Sequence, residues 1–190
     1  VNRFLHLAGL ALLALVPFAS LFPLARADDK PATSASSGEV KLVPVKFASL
    51  MEKIAANKAA KLTIVDAWAT WCGPCKDNFP HVVEMHQKYA SKGLAVISLS
   101  LDEPDRPKKV AEAADFLKSQ KAVFANYLLD ESQDDAFDKL KISAIPAVFL
   151  FGPDGKEVKR FTLEDVNNLF TYAQVEKFVE DYLAGKTGGK

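Results

Sequence analysis

The chain has 190 residues, 24 basic and 24 acidic side chains for a formal net charge of +0, and 49 % hydrophobic residues. That balance excludes a polybasic nucleic-acid or anionic-membrane binder, and the length suits one ordinary domain with a full core. Two cysteines are too few for a disulfide-stapled scaffold, and no internal repeat is visible.

Residues 1–27 read as a secretory signal. Arg3 supplies a positive start, 5–22 is almost wholly apolar, and Ala25-Arg26-Ala27 gives a small-x-small cleavage pattern. The alternative is an uncleaved N-terminal membrane anchor, which Pro17 and Pro23 disfavour. Either reading puts the globular part outside the cytoplasm, periplasmic or secreted. Without the leader 163 residues remain, with 22 basic against 24 acidic groups. Residues 28–40, rich in Ser, Ala, Lys and Asp, read as a flexible linker, 41–185 as the domain, and 186–190 as a disordered tail.

Within the domain, 41–47 contains Pro44 and reads as a short edge strand. Ser49-Leu50-Met51-Glu52 has the form of a capping box opening a helix to about Ala60. Residues 62–69 are a near-continuous apolar run, hence a buried strand, interrupted by the single charge of Asp66. A helical pattern follows with Phe79, Val82, Val83, His86, Tyr89 and Ala90 on one face and Pro80 expected to kink it. Residues 94–101 and 124–129 read as further core strands, and 106–120 as an amphipathic helix with a solvated Lys108/Glu112 pair. Ser132 to Asp135 opens a helix reaching Lys141. Ala147–Phe151 and Glu157–Phe161 flank Gly152-Pro153-Asp154-Gly155 as a hairpin, and Tyr172–Leu183 is a closing helix. Strands alternating with helices and ending in a hairpin predict an α/β fold, a mixed central sheet with helices on both faces.

Both cysteines lie in Trp71-Cys72-Gly73-Pro74-Cys75. Two thiols at this spacing close into a small disulfide ring and reopen, so redox chemistry needs no third cysteine. A zinc site wants four ligands; no further cysteine exists, His6 lies in the leader, and His81 and His86 are five apart. Covalent haem attachment is excluded because Lys76 stands where a histidine is required. A metal pair and a purely structural disulfide are therefore the weaker alternatives. Cys72 falls at a helix N-terminus, where unpaired N–H groups and the macrodipole favour a thiolate, the attacking species. Cys75, one turn on, is expected to be the more buried resolving thiol. Asp66, an acid inside a buried strand, is expected to have a raised pKa and to accept the Cys75 proton; the alternative is a strand-end carboxylate in water.

The run Val65-Asp66-Ala67-Trp68-Ala69-Thr70-Trp71-Cys72-Gly73-Pro74-Cys75-Lys76 resembles the active-site strand and loop of the thioredoxin superfamily. Phe79-Pro80, the 124–141 strand-helix insertion and Ile145-Pro146 resemble its extracytoplasmic TlpA-like branch of thiol-disulfide oxidoreductases. The resemblance covers residues 42–184. It implies a thioredoxin-like fold with a strand-helix insertion before a cis-proline loop at Pro146; the alternative is an ordinary trans proline. It implies catalytic Cys72, Cys75 and Asp66, and a substrate-docking surface of Trp71, Gly73, Pro74, Ile145 and Pro146. Trp68 is expected in the core. Two positions depart from the family: Ser98 stands where a lysine often pairs with the acid, and Asn78 where TlpA-like proteins often carry Glu.

The activity implied is an exported protein-disulfide reductase, working by dithiol–disulfide exchange without a bound cofactor or metal. Its partners would be protein disulfides and a membrane-embedded thiol electron donor, with no nucleic acid and the chain a monomer. Apocytochrome c, in cytochrome c maturation, is one open substrate beside other secreted proteins and metallochaperones. The rivals are a dithiol oxidase or isomerase, and a binding module without turnover. A thiol peroxidase is disfavoured, since Cys72 lacks the Pro-x-x-x-Thr/Ser-x-x-Cys pattern of the peroxiredoxin relatives.

Overall fold

The computed structural model describes residues 38–165 and 167–187. The leader over 1–27, the linker up to 37 and the tail from 188 lie outside them.

Six strands form one mixed sheet in the order β1-β4-β3-β2-β5-β6. Strands β1 (Leu42–Val45), β4 (Ala125–Leu129), β3 (Leu94–Ser100) and β2 (Leu62–Trp68) run parallel. Strands β5 (Ala147–Phe151) and β6 (Glu157–Phe161) are a hairpin whose first strand pairs antiparallel with β2. The tight turn between them needs Gly155, at φ 78°, where a Cβ would meet Ala55 at 2.7 Å.

The helices cover both faces of the sheet. Helices α1 (Phe47–Ala56) and α4 (Gln133–Leu140) bury Leu50, Ile54, Ala136 and Leu140 with Val65, Phe149 and Phe151 of the sheet. Helices α2 (Gly73–Tyr89) and α5 (Tyr172–Leu183) bury Val82, Met85, Tyr89, Val175 and Val179 with Leu62, Ile64, Val148 and Leu150. Helix α3 (Pro107–Ser119) joins the α2 side, where the ring of Phe116 lies 5.2 Å from Phe79 and 4.9 Å from Trp68. Trp68 is fully buried, as expected, and its indole N–H donates to Ser98 Oγ at 3.3 Å. Among the described residues no helix is long and apolar enough to cross a membrane.

Most elements fall where the sequence puts them, and helix α1 differs. The expected capping box at Ser49 does not form: α1 begins at Phe47 and ends at Ala56, with Lys46 as its N-cap residue and no side-chain cap. The exposed N-terminus is served instead by Glu131, which accepts the Phe47 N–H at 3.2 Å across 84 residues of chain. On α3 Lys108 and Glu112 are both exposed, as expected of a solvated face, and Glu112 pairs with Lys109 at 2.7 Å. Helix α2 continues through Pro80, which has no N–H to return to Lys76. By contrast Ser132 caps α4 as read, accepting the Asp135 N–H at 3.2 Å.

Helix α5 has the full reciprocal cap that α1 lacks. Thr171 Oγ1 accepts the Gln174 N–H at 3.3 Å, and Gln174 Oε1 accepts the Thr171 N–H at 2.8 Å. Thr171→Ala removes one half of this box. A loss of about 1 kcal/mol is expected, read as a lower urea midpoint with an unchanged slope.

Candidate active site

The site assembles where β2 ends and α2 begins. Leu101 N–H donates to Trp68 O at 2.8 Å, which closes the last step of sheet pairing. Beyond it a buried carboxylate takes over. Asp102 accepts the Thr70 N–H at 3.0 and 3.2 Å, the Thr70 hydroxyl at 2.6 Å and the Ser100 hydroxyl at 2.8 Å. These bonds fix the backbone two residues before Cys72. Cys72 N–H then donates to Ala69 O at 3.1 Å.

Cys72 is the N-cap residue of α2, in extended backbone at φ −89°, ψ 98°. Its sulfur occupies the place a Ser or Asp oxygen takes in an ordinary cap and accepts the Cys75 N–H at 3.2 Å. Its carbonyl accepts the Lys76 N–H at 3.2 Å. Pro74 lies in the first turn, where a missing N–H costs no helical bond. A negative sulfur at this point would gain both the donated hydrogen bond and the positive end of the helix. Cys72 and Cys75 are joined as a disulfide with Cα atoms 5.3 Å apart. Cys72 is 5 % exposed and Cys75 not at all.

Around this pair stand the residues expected to dock a substrate. Trp71 is half exposed, and Gly73 and Pro74 are exposed beside it. From across the sheet the Ile145–Pro146 peptide is cis, and Ile145 O lies 3.7 Å from Cys72 Sγ. Ile145 and Pro146 are both buried. Asn78 carries no acid; its amide donates to Pro74 O at 2.8 Å within the helix.

Asp66 lies in the interior of β2 and is wholly buried, not in water at a strand end. Its register partners are Ser98 on β3 and Val148 on β5, both uncharged. Burial pushes its carboxyl up to about 7, and a hydrogen bond from Tyr172 pulls against that rise. The Tyr172 hydroxyl donates to Asp66 Oδ1 at 2.5 Å, while Oδ2 is buried with no partner. Burial and the neighbouring carboxylate in turn hold Tyr172 well above the usual phenol range.

Two residues of this centre were not singled out in the sequence: Tyr172 and Asp102. Tyr172 sits on the apolar stripe of α5 with Val175 and Val179, and a tyrosine there needs a partner for its hydroxyl. Asp102 follows the apolar run of β3 directly, and Thr70 follows that of β2. Polar residues of complementary type at two adjacent strand ends were the available signal. His81 is exposed and His86 half-buried. No cluster of three or more His, Cys, Asp or Glu side chains suited to a metal ion forms among the described residues.

The AhpC/TSA family matches over residues 45–160, from β1 to β6. The chain belongs to that family. It is 30 % identical over 134 residues to the thiol-disulfide oxidoreductase ResA of Bacillus subtilis, a match covering 68 % of this chain and 65 % of that one. The chain thus spans somewhat less than two thirds of that relative. Among solved structures it is similar to a thiol:disulfide interchange protein from Bacteroides sp., with a TM-score of 0.53 and 22 % identity over 70 % of this chain and 80 % of that one. A thiol:disulfide interchange protein of the thioredoxin family from Chlorobium tepidum superposes with a TM-score of 0.51 and 20 % identity, covering 68 % and 84 %. The fold is therefore thioredoxin-like, as the resemblance implied. Within the family, Val65 and Ala69 stand at the Pro and Thr/Ser positions of the peroxidase pattern that would lead to Cys72.

The buried acid has a measurable signature in stability. A carboxyl whose pKa is about 7 folded and 3.8 unfolded holds its proton more tightly in the native state. Its contribution is full below pH 4 and is lost as pH rises through 7. Asp66→Asn keeps an acceptor for Tyr172 and cannot ionise. Its stability relative to the parent should therefore increase from pH 4 to 8, by roughly 4 kcal/mol at most. Urea unfolding at several pH values measures this, and a constant difference would mean the Asp66 carboxyl titrates as an ordinary exposed one.

Proposed function

We propose that this protein is an exported thiol-disulfide oxidoreductase that reduces disulfides in other proteins. The observation that carries the reading is the Cys72–Cys75 disulfide at the head of α2, with the Cys75 N–H on Cys72 Sγ, beside a cis Ile145–Pro146 peptide. The similarity to ResA supports the same chemistry.

In this reading Cys72, as a thiolate, attacks a substrate disulfide and forms a mixed disulfide, releasing one substrate sulfur as a thiolate. Cys75 loses its proton to Asp66 and attacks Cys72 Sγ. The bond from Cys72 to substrate breaks, the second substrate thiolate leaves, and the Cys72–Cys75 disulfide forms. Two electrons have passed from the protein to the substrate. Trp71, Gly73, Pro74, Ile145 and Pro146 form the docking surface, where an extended peptide would lie against the loop.

The globular part works outside the cytoplasm, with residues 1–27 as its secretory signal. That surrounding is oxidising, so the dithiol has to be regenerated by a donor, for which a membrane-embedded thiol protein is the fitting class. Apocytochrome c is one substrate that such a reductase would serve. Gly73-Pro74 between the cysteines and a buried acid favour a reducing poise over an oxidising one.

Two measurements test this. Alkylation of the reduced protein below neutral pH should label Cys72 before Cys75, and Cys75→Ser should accumulate mixed disulfides on Cys72 that mass spectrometry can identify. Preferential labelling of Cys75 would reverse the two roles. Equilibration with glutathione buffers should give a potential nearer the roughly −270 mV of thioredoxin than the roughly −120 mV of a strong periplasmic oxidant. A value above about −150 mV would make the protein an oxidant.

A further inference from the structure

A carboxyl group with one oxygen held and the other unpaired is directional. In Asp66 the held oxygen is Oδ1, on the Tyr172 hydroxyl, and the unpaired one is Oδ2. The two residues are 106 positions apart in the chain, so the contact exists only because α5 returns to cover β2. Tyr172 is in turn fixed from several sides. The reciprocal Thr171–Gln174 cap sets the first turn of its helix. His81 of α2 stacks on its ring at 6.1 Å and 23°, and the ring of Phe170 lies 5.8 Å away. The ring is 4 % exposed, so the hydroxyl has no bulk water to turn to.

We propose that Tyr172 is the positioning residue of the proton-transfer step: it occupies Oδ1 and so reserves Oδ2 as the oxygen that takes the Cys75 proton. The inference rests on the assignment of Asp66 made above and extends it to another element of the fold. The Cys75 S–H bond breaks and an O–H bond forms at Oδ2, after which Cys75 Sγ bonds to Cys72 Sγ and the electron pair of the Cys72–substrate bond leaves on the substrate sulfur. A neutral donor is suited to this task. It orients the carboxylate and partly offsets its burial, whereas a cation at the same point would hold it ionised and weaken it as a base. Ser98, at the register position where a lysine would serve, is instead engaged by the Trp68 indole.

The other groups around the acid are few. β3 presents Ser98 and β5 presents Val148. Helix α2 buries Cys75 in the core with Val65, Ala67 and Trp68 of β2 and stacks His81, exposed and 3.5 Å from Glu84, on Tyr172. Helix α5 brings Tyr172 and, a turn further, Glu176, which is bonded to Lys88 and Tyr89.

Tyr172→Phe keeps the ring and its stacking and deletes only the donor. The readout is single-turnover release of reduced substrate from a preformed Cys72 mixed disulfide, followed across the neutral pH range. The unaltered protein should show a midpoint near 7, set by Asp66. In Tyr172→Phe the midpoint should move up by about one to two pH units, the usual worth of a hydrogen bond to a charged group, and the rate at pH 7 should fall about tenfold or more. Above the shifted midpoint the rate should rise again, a pH-dependent recovery that a merely structural defect would not give. An unmoved midpoint in a folded Tyr172→Phe overturns the proposal while leaving Asp66 in place. Asp66→Asn separates the two claims: slowing of about 10² or more upholds the acid, and an unchanged rate removes Asp66 and Tyr172 together. If Tyr172→Phe does not fold, carbon NMR of the unaltered oxidised protein decides. The Asp66 carboxyl carbon and the Tyr172 Cζ should titrate with one midpoint, and a Tyr172 signal indifferent to that titration overturns the inference.

Discussion

The end of β2 and the start of α2 have to be held in one geometry, and the rest of the site depends on that junction. β2 is the strand through which the two halves of the sheet communicate: β3 pairs with it in parallel on one side and β5 antiparallel on the other. The chain leaves this pinned strand through Thr70, tied to Asp102, and enters the helix through Cys72, whose sulfur is itself the cap. The proposed reactivity and the local structure thus use the same atom. The hydrogen bond that completes the helix is the one that would steady a thiolate. β5 delivers the Ile145–Pro146 loop to the same point because its own first residue pairs with Ala67.

Two buried carboxylates lie near this junction and are treated in opposite ways. Asp102 is surrounded by donors: the Thr70 N–H and hydroxyl and the Ser100 hydroxyl all point to it. Such a group is a structural anchor, because every lone pair that matters is engaged. Asp66 has one donor and one orphaned oxygen, and burial moves it toward neutrality. An unpaired buried oxygen is costly, and proteins keep one where it has work to do. The difference between anchor and acid is the number of donors around each.

Much of this was legible in the sequence. The 3.6-residue and continuous apolar patterns placed the strands and helices, and the turn Gly152-Pro153-Asp154-Gly155 located the hairpin. The Cys72/Cys75 spacing, the lone charge of Asp66 in an apolar strand and Ile145-Pro146 marked the site because each breaks a local rule. What escaped were contacts between distant segments. Ser49-Leu50-Met51-Glu52 satisfies the letter of a capping box, but Glu131, 84 residues downstream of Phe47, takes the N-terminus one turn earlier. Tyr172 read as an ordinary apolar-face residue, since its partner is 106 positions away. Asp102 and Thr70 lay at the ends of two strands whose adjacency only the pairing of β2 with β3 creates.

The two outer strands complete the sheet in different ways. β1 is four residues long and contains Pro44, which has no N–H to offer a neighbour. β6 carries Glu157, Lys159 and Arg160, and the Arg160 fork is closed onto Glu157 at 2.6 and 2.7 Å. A protein proposed to dock extended peptide segments of its substrates meets such polypeptide at every encounter. Each such chain is a strand in search of an edge. With one border interrupted by proline and the other lined with charge, the sheet offers poor templates for cross-chain addition. Under the proposed function, contact with a substrate would then fall at the rim around Cys72, away from borders where strand addition seeds aggregation.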